Sequence, residues 1–263
     1  MMDPKVSIII PCYNSIGYLQ EALESIYFSD NLLLETIIVD DGSDNEEFKK
    51  YLQQLQQKEK IKVLQQPNAG PASARNRGIK EANGKYIFFL DSDNRLLPGY
   101  LQAAVEIMES DAGVGVVYGQ PVFFGRQSPQ RFRVQAFDKE LIIHENFIDM
   151  CCMLRQQVFD EVGLLDEDKI VIGHEDWEYW LRLCQTSWRF HFINKPCFEY
   201  RLRSGSLIEQ SNSIENYNRL LQYLFNKYPQ LYYNSYLQYK SKSRKYDFDR
   251  KHPVRALLKN IFK

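Results

Sequence analysis

The 263-residue sequence lacks several features that mark special structural classes. No apolar run approaches the roughly 18 to 20 residues that a membrane-spanning helix needs. The five cysteines form no C-x-x-C pair and lack histidines at zinc-ligand spacing, so neither a disulfide framework nor a structural zinc site is predicted. There is no internal repeat, and the start leads into a strand pattern rather than a signal peptide. We therefore expect a soluble, cytoplasmic protein.

The composition is that of a globular domain, with 44% hydrophobic, 14% aromatic and 25% charged residues. The formal net charge of −1 conceals an asymmetry, because residues 240–263 carry nine Lys or Arg against two Asp, and so +7 against −8 for the remainder. A basic segment on an acidic body needs an anionic partner or surface. We do not expect nucleic acid as that partner, because no recognised nucleic-acid-binding module accompanies the charge.

Apolar runs alternate with amphipathic segments over the first 90 residues. Strands are predicted at Val6–Ile10, Thr36–Val39, Ile61–Leu64 and Tyr86–Leu90, with helices between them. This alternation predicts an α/β fold with an open, mostly parallel, Rossmann-like sheet flanked by helices. Further along the chain we predict helices at 155–162 and 174–184, short strands at 190–193 and 197–200, and a helical C-terminal extension.

Polar clusters follow the predicted strands at the points where those strands end. The carboxyl ends of parallel strands meet at one edge of a sheet, where ligands bind. We therefore expect one site to collect the clusters Pro11-Cys12-Tyr13-Asn14, Asp40-Asp41-Gly42-Ser43, Asn68-Ala69-Gly70 and Asp91-Ser92-Asp93-Asn94.

Two pairs of acidic residues are candidates for chemistry. Asp91 and Asp93 follow an apolar strand directly and suit a hard cation such as Mg²⁺ or Mn²⁺, although Asp and Ser also form solvated turns. Glu175 and Asp176 open an amphipathic helix, where carboxylates are also common because they interact favourably with the helix dipole. The residues alone leave both alternatives open.

Six motifs in order resemble the inverting family 2 glycosyltransferases, which have the A-type glycosyltransferase fold. The resemblance extends from about Val6 to Ser206 and rests on VSIIIPCYN, IIVDDGS, NAGPASARNRGI, FFLDSDN, GHEDWEYWLRL and YRLRSGS. It implies a hexosyltransferase with a nucleotide-sugar-binding half (1–95), an acceptor-binding half (96–210) and a basic helical extension (211–263).

The resemblance also implies a role for each matching residue. Binding of the nucleotide is implied for Pro11, Tyr13, Asp40, Asn68, Gly70, Arg75 and Asp91. Binding of a Mn²⁺ or Mg²⁺ ion that bridges the diphosphate is implied for Asp93, with Asp91 beside it. Asp176 matches the catalytic base, and Glu175 and Trp177 would border the acceptor pocket.

One position departs from the family pattern. Many relatives have a metal-binding histidine where this sequence has Arg203. A guanidinium cannot bind a cation, but it can bind phosphate oxygens through paired hydrogen bonds. Our hypothesis is that Arg203 or Arg201 binds the diphosphate; the alternative is two exposed arginines.

The implied reaction is metal-dependent transfer, with inversion, from a nucleotide diphosphate sugar, with UDP favoured, to a carbohydrate or glycolipid acceptor. It suggests a role in polysaccharide or glycolipid assembly. Two alternatives are a non-catalytic nucleotide-sugar-binding protein and a sugar-phosphate nucleotidylyltransferase. The second lacks the expected glycine-rich opening, because PCYNS stands in its place.

The last residues, 253–263, place Val254, Leu257, Leu258, Ile261 and Phe262 on one helical stripe. With the preceding KSKSRK cluster, this pattern is typical of an interfacial helix on anionic lipid. It suggests a peripheral position at the inner face of the membrane. A helix packed on the protein itself or on a second subunit, as in a homo-oligomer, is the open alternative.

Overall fold

The computed structural model describes residues 5–26, 32–125, 132–203, 211 and 213–251. They fall into two compact units, which divide between Tyr217 and Asn218. The first unit contains the sheet and the second is helical. All five cysteines lie in the first unit as buried free thiols.

The described strands are β1 (Val6–Cys12), β2 (Leu34–Asp40), β3 (Ile61–Gln65), β4 (Tyr86–Phe89), β5 (Arg95–Leu96), β6 (Val114–Gly125), β7 (Met153–Arg155) and β8 (Arg189–Leu202). The described α-helices are α1 (Ile16–Ile26), α2 (Glu46–Leu55), α3 (Pro71–Glu81), α4 (Tyr100–Ser110), α5 (Lys139–Ile142), α6 (Gln156–Val162), α7 (Glu175–Leu183), α8 (Ile214–Lys227) and α9 (Pro229–Lys251). A 3-10 helix covers Lys169–Val171.

The eight described strands form one sheet in the order β3-β2-β1-β4-β7-β6-β8-β5. The pairs β1 with β2, β1 with β4, β2 with β3 and β6 with β8 are parallel, whereas β7 is antiparallel to both of its neighbours. The predicted fold class is confirmed, as a mixed sheet flanked by helices with further helices at the C-terminal end.

The centre of the sheet is apolar on both faces. The first five residues of β1, Val6 to Ile10, are fully buried. Ile9 pairs with Ile37 of β2 on one side and with Phe89 of β4 on the other. Continuous β-branched runs of this kind are typical of strands that are covered by helices on both sides. Because β1, β2 and β4 are parallel, their polar C-terminal residues reach the same edge.

The predicted element boundaries differ from the structure in one informative place. The two short strands predicted at 190–193 and 197–200 are one long strand, β8. Asn194, Lys195 and Pro196 interrupt the apolar pattern, and the pairing with β6 shifts register where Gln120 meets Pro196. A β-bulge-like irregularity in the β6–β8 pairing therefore allows β8 to continue through residues whose sequence is typical of a turn.

The predicted C-terminal helical extension is confirmed for the described residues, which form α8 and α9. After Ser235, almost every described side chain of α9 is exposed, including Tyr236, Tyr239 and Tyr246. The apolar stripe predicted for residues 253–263 lies outside the described residues. No described helix combines the length and the hydropathy that crossing a bilayer would require.

Candidate active site

A cavity of about 1020 Å³ opens at the carboxyl edge of the central strands. Most of the residues singled out in the sequence line it, namely Pro11, Tyr13, Asn68, Gly70, Arg75, Asp91, Asp93, Glu175, Asp176, Trp177 and Arg203. The structure therefore brings the candidate metal ligands and the candidate base to one cavity. Their chemical roles stay predictions.

The loops after β1 and β2 are tied together at the cavity rim. The backbone N–H of Asn14 donates to Ser43 Oγ at 2.9 Å, and the Asn14 side chain bonds Asp44. Gly42 has a φ of +78°, and a Cβ there would lie 2.6 Å from the backbone N of Asn68. Glycine is therefore required, because this turn needs both a left-handed backbone and the close approach of a neighbouring loop.

Asp40 and Asp41 are adjacent in sequence but have different surroundings. Asp40, the last residue of β2, is 2% exposed and accepts a hydrogen bond from the backbone N–H of Ser43 at 3.0 Å. Asp41 lines the cavity and accepts from the backbone N–H groups of Ala69 and Gly70, at 2.9 and 2.8 Å. The residue singled out in the sequence, Asp40, supports the turn, and its neighbour reaches the cavity.

The candidate metal ligands follow β4. Asp93 Oδ2 accepts a hydrogen bond from Arg203 Nε at 2.6 Å. Burial and the nearby Asp91 raise the pKa of Asp93, whereas Arg203 lowers it. The Asp93 carboxylate therefore lies in surroundings that favour a positive charge beside it.

The two arginines of the last motif differ in position. Arg203 lines the cavity, and its side chain is 44% exposed. Arg201 donates to Glu21 at 2.6 Å and to the Asp93 carbonyl at 3.0 Å, and its guanidinium lies over the ring of Phe124. Of the two residues in our diphosphate hypothesis, the geometry favours Arg203, because the Arg201 guanidinium is already held by these contacts.

Arg75 connects the two sides of the site through a buried ion triad. Its guanidinium donates to Asp91 and to Glu175, each at 2.6 Å, and its side chain is only 6% exposed. Burial opposes the charge, but the two carboxylates outweigh that effect and raise the pKa of Arg75. The sequence predicted that Arg75 would contact the nucleotide; in the structure its Nη atoms bind protein carboxylates.

We expect Arg75→Met to destabilise the fold by about 3 kcal/mol, because it leaves the buried Glu175 carboxylate without its counter-charge. The measurement is urea unfolding of the full chain. Arg77→Met is the matched control, since Arg77 lies on the same helix and is exposed. Equal unfolding midpoints for the two variants would contradict a stabilising role for the triad.

The candidate base opens helix α7. Asp176 Oδ1 accepts the backbone N–H of Trp177 at 2.7 Å, and the Asn146 side chain also bonds this carboxylate. Burial, Glu175 and Asp149 raise the pKa of Asp176 well above its usual value. A carboxylate with a raised pKa is a stronger proton acceptor, which suits general-base chemistry near neutral pH.

The two residues expected at the acceptor pocket are held inside the fold. Glu175 is 5% exposed; it binds Arg75 and accepts the backbone N–H of Gly173 at 2.7 Å. Trp177 is 1% exposed and donates its Nε1–H to the Ile142 carbonyl at 2.7 Å. Both residues touch the cavity wall, but their polar groups already have partners.

Sequence reasoning missed Asp149, which also lines the cavity. It belongs to no recognised motif and precedes β7, where one of its oxygens accepts the backbone N–H of Cys151 at 2.8 Å. Burial, together with Asp91, raises the pKa of Asp149 to about 7. Only its position beside Asp91 in the folded chain reveals it.

Asp149 should make stability depend on pH. The pKa of Asp149 is about 7 in the folded chain, whereas its usual value is 3.8. Folding therefore favours the protonated carboxyl group, and the free energy of unfolding falls as the pH rises from about 4 to 7. Each unit of pKa difference between the folded and unfolded chain corresponds to about 1.4 kcal/mol of this free energy. We expect Asp149→Asn to be more stable than wild type at pH 8, with a smaller difference at pH 5.

Urea unfolding at both pH values measures this effect. Asp160→Asn, an exposed change on α6, is the control. A stability difference that does not change between pH 5 and pH 8 would contradict the assignment to Asp149.

The cavity carries an excess of negative charge. Its described lining contains seven carboxylates, from Asp41, Asp91, Asp93, Glu145, Asp149, Glu175 and Asp176, against two arginines, Arg75 and Arg203. Yet the described residues contain no group of three His, Cys, Asp or Glu side chains arranged to hold a metal ion. A cation in this cavity would therefore need ligands from a bound molecule or from water.

The sequence around this cavity matches a known protein family. The profile of the family described as glycosyl transferase family 2 matches residues 7–163, which is more than half of the chain. The chain belongs to glycosyl transferase family 2. The family 2 match includes the segments that carry Tyr13, Asp41, Arg75 and Asp93.

Individual proteins resemble this family 2 chain over different lengths. An uncharacterised glycosyltransferase of Methanocaldococcus jannaschii is 25% identical over 212 residues, which cover 77% of this chain and 72% of the relative. An uncharacterised glycosyltransferase of Rickettsia bellii is 38% identical over 111 residues, which cover 42% of this chain and 16% of the relative. The chain therefore spans most of the first relative but less than a fifth of the second.

The fold also resembles a solved structure. The crystal structure of residues 1–349 of TarS from S. aureus, in complex with UDP-GlcNAc, matches with a TM-score of 0.64 and 22% identity. The match covers 82% of this chain and 64% of the TarS fragment, so this chain spans less than two thirds of it. At this identity the likeness concerns the fold.

Proposed function

We propose that this family 2 chain transfers a hexose from a UDP-sugar to an acceptor hydroxyl, with inversion at the anomeric carbon and with a divalent metal ion. The observation that carries the proposal is that Asp93 and Asp176, from distant parts of the sequence, line one cavity. A single displacement needs a base and a leaving-group site in the same cavity, because the acceptor hydroxyl approaches the anomeric carbon from the side opposite to the departing diphosphate.

Asp91 and Asp93 fit a hard divalent cation such as Mn²⁺ or Mg²⁺. Both follow β4, and burial together with Asp91 raises the pKa of Asp93 although Arg203 pairs with it. The remaining ligands would be diphosphate oxygens and water, because Mg²⁺ usually keeps only one or two protein carboxylates. When bound, the cation neutralises charge on the departing diphosphate.

The residues of this chain perform the other steps. Asp176 accepts the proton of the acceptor hydroxyl while the oxygen of that hydroxyl bonds to the anomeric carbon. The bond from this carbon to the diphosphate oxygen breaks, and its electron pair leaves with the nucleoside diphosphate. Arg203, which pairs with Asp93, can donate hydrogen bonds to the phosphate oxygens.

Two observations favour uridine as the nucleobase. The Tyr13 side chain lies at the cavity rim, 49% exposed, where an aromatic ring can stack on a base. The neighbouring Asp41 Oδ2 accepts one hydrogen bond, from Gly70, and has room to accept the imide N–H of uracil as well. The binding of UDP-GlcNAc by the structurally similar TarS fragment supports the same choice.

We also propose a carbohydrate or glycolipid acceptor and contact with an anionic membrane through the C-terminal helices. In the described part of α9, the exposed residues Tyr236, Tyr239 and Tyr246 share one helical face, and Lys240 and Arg244 lie on the adjoining face. Tyrosine favours the membrane interface, and basic residues are attracted to anionic lipid.

The test combines binding with turnover. Thermal unfolding is measured with UDP-glucose, UDP-galactose, UDP-GlcNAc and GDP-mannose, with and without Mn²⁺. We expect one of the UDP-sugars to stabilise the chain when Mn²⁺ is present, by about 2.7 kcal/mol at 100 times its Kd. We also expect slow release of UDP through transfer to water.

Each alternative predicts a different outcome. A binding protein without activity would be stabilised but would release no UDP. A nucleotidylyltransferase would instead form pyrophosphate from UTP and a sugar 1-phosphate. If no UDP-sugar changes the unfolding temperature, the proposed donor is incorrect.

A further inference from the structure

The cavity wall beside the candidate base is formed by residues that the sequence motifs do not include. Because Glu175 and Trp177 use their polar groups inside the fold, they offer an acceptor little to bind. Two other lining residues come from outside the motifs, namely Glu145, from the segment between α5 and β7, and Tyr217, in the first turn of α8. Both are far in sequence from the motifs on the nucleotide side.

Tyr217 presents a supported aromatic ring to the cavity. Its ring stacks on Trp177 with centroids 6.3 Å apart and planes 17° apart, and it meets the edge of His174 at 6.1 Å. Trp177 is in turn fixed by its hydrogen bond to Ile142. The tyrosine is therefore braced on its inner side, and it remains partly exposed at the cavity.

A carboxylate lies near this ring. Burial, together with the charge of the exposed Glu145, raises the pKa of Tyr217. The next residue, Asn146, also lines the cavity and hydrogen-bonds the carboxylate of Asp176. An aromatic ring, a carboxylate and the candidate base therefore line the same cavity, and the ring stacks on the residue next to that base.

We propose that Tyr217 and Glu145 form the acceptor subsite and that it takes a pyranose ring. A pyranose has an apolar C–H face, which packs on an aromatic ring, and hydroxyl groups at its edge, which donate to a carboxylate. The inference rests on the proposed function, because the acceptor must approach from the side of Asp176 that accepts its proton.

The volume of the cavity, about 1020 Å³, lies at the upper end of the range of roughly 300 to 1,000 Å³ that ligand pockets occupy. The nucleotide-side residues, among them Tyr13 and Asp93, and the base-side residues, among them Glu145 and Tyr217, belong to different segments of the chain around it. On this proposal the donor occupies the nucleotide side and the acceptor the side of Tyr217.

The test uses the full chain, Mn²⁺, the UDP-sugar that stabilises it, and three acceptor probes. The probes are the p-nitrophenyl β-glycosides of glucose, galactose and N-acetylglucosamine. UDP release is measured with and without each probe, which separates transfer to water from transfer to a sugar. We expect at least one probe to accelerate UDP release by wild type in a saturable manner.

For Tyr217→Ala we expect the KM for that probe to rise about tenfold, a larger change than any in the rate of donor hydrolysis by the same variant. Tyr217→Phe keeps the ring and should change the KM by less than about threefold. Tyr233→Ala is the matched control, because Tyr233 is a 57% exposed tyrosine on α9. Glu145→Gln removes a charge from an exposed side chain without disturbing the ring stack, and it should raise the same KM by about threefold or more.

Three results would overturn the subsite. The first is that no pyranoside accelerates UDP release by a wild-type chain that hydrolyses the donor. The second is that Tyr217→Ala and Glu145→Gln both leave the KM for the probe unchanged. The third is that both variants lower the rates of hydrolysis and transfer by the same factor. A wild-type chain that neither binds nor hydrolyses any UDP-sugar would overturn the proposed function itself.

Discussion

Asp176→Asn is expected to lower kcat by roughly 10²- to 10⁴-fold, because the amide cannot accept the acceptor proton. Binding of the UDP-sugar should persist, since the Asp176 carboxylate hydrogen-bonds Trp177 and Asn146 and is not among the residues expected to bind the nucleotide. In wild type, turnover should rise with pH as the carboxyl group loses its proton, and this dependence should disappear in the variant. Steady-state UDP release across pH 5 to 9 measures both effects.

Asp160→Asn serves as the control for this experiment, because it makes the same chemical change on an exposed part of α6. Wild-type turnover by Asp176→Asn would refute the assignment of the base. If donor binding were lost together with turnover, Asp176 would instead be a donor-binding residue.

Asp93→Asn is expected to abolish the Mn²⁺-dependent part of donor binding and to reduce turnover by about 100-fold or more. A neutral amide oxygen is a poorer ligand for a hard cation than a carboxylate, and metal-assisted catalysis depends on charge neutralisation at the leaving group. The change also removes the ion pair with Arg203. Thermal unfolding with UDP over a Mn²⁺ titration measures the binding effect.

The control is again Asp160→Asn, and Arg203→Ala separates the two interactions. Arg203→Ala should weaken UDP binding both with and without Mn²⁺, whereas Asp93→Asn should remove only the metal-dependent part. Equal stabilisation of wild type and Asp93→Asn by UDP with Mn²⁺ would show that Asp93 is not a metal ligand.

The alternation of apolar strands and amphipathic helices allowed the fold class to be predicted from the sequence. Buried runs such as Val6–Ile10 have one dominant physical explanation, a strand covered on both faces. Strand β8 was harder to predict, because Pro196 interrupts its pattern and only pairing with β6 carries the strand through that point. Tertiary pairing decided the structure where the local signal was ambiguous.

Placement at the cavity could be predicted for residues in short motifs, but not for residues that only distant contacts bring there. Asp93 and Asp176 were singled out because their motifs resemble those of family 2 glycosyltransferases, since a strand end and a helix start also have simpler explanations. Asp149 and Tyr217 belong to no motif, and only folding brings them to the cavity. The choice between Asp40 and its neighbour also needed coordinates, because adjacent residues at a strand end point in different directions.

The buried triad around Arg75 has a consequence for how the site operates. Asp91 belongs to the nucleotide side and Glu175 is adjacent to the candidate base, so one guanidinium clamps both sides together. Separating them would leave the buried charges of Arg75 and Glu175 without a partner, at a cost of several kcal/mol. On the proposed function, the groups beside this triad are held in position before any substrate binds, so little reorganisation free energy would have to be supplied during turnover.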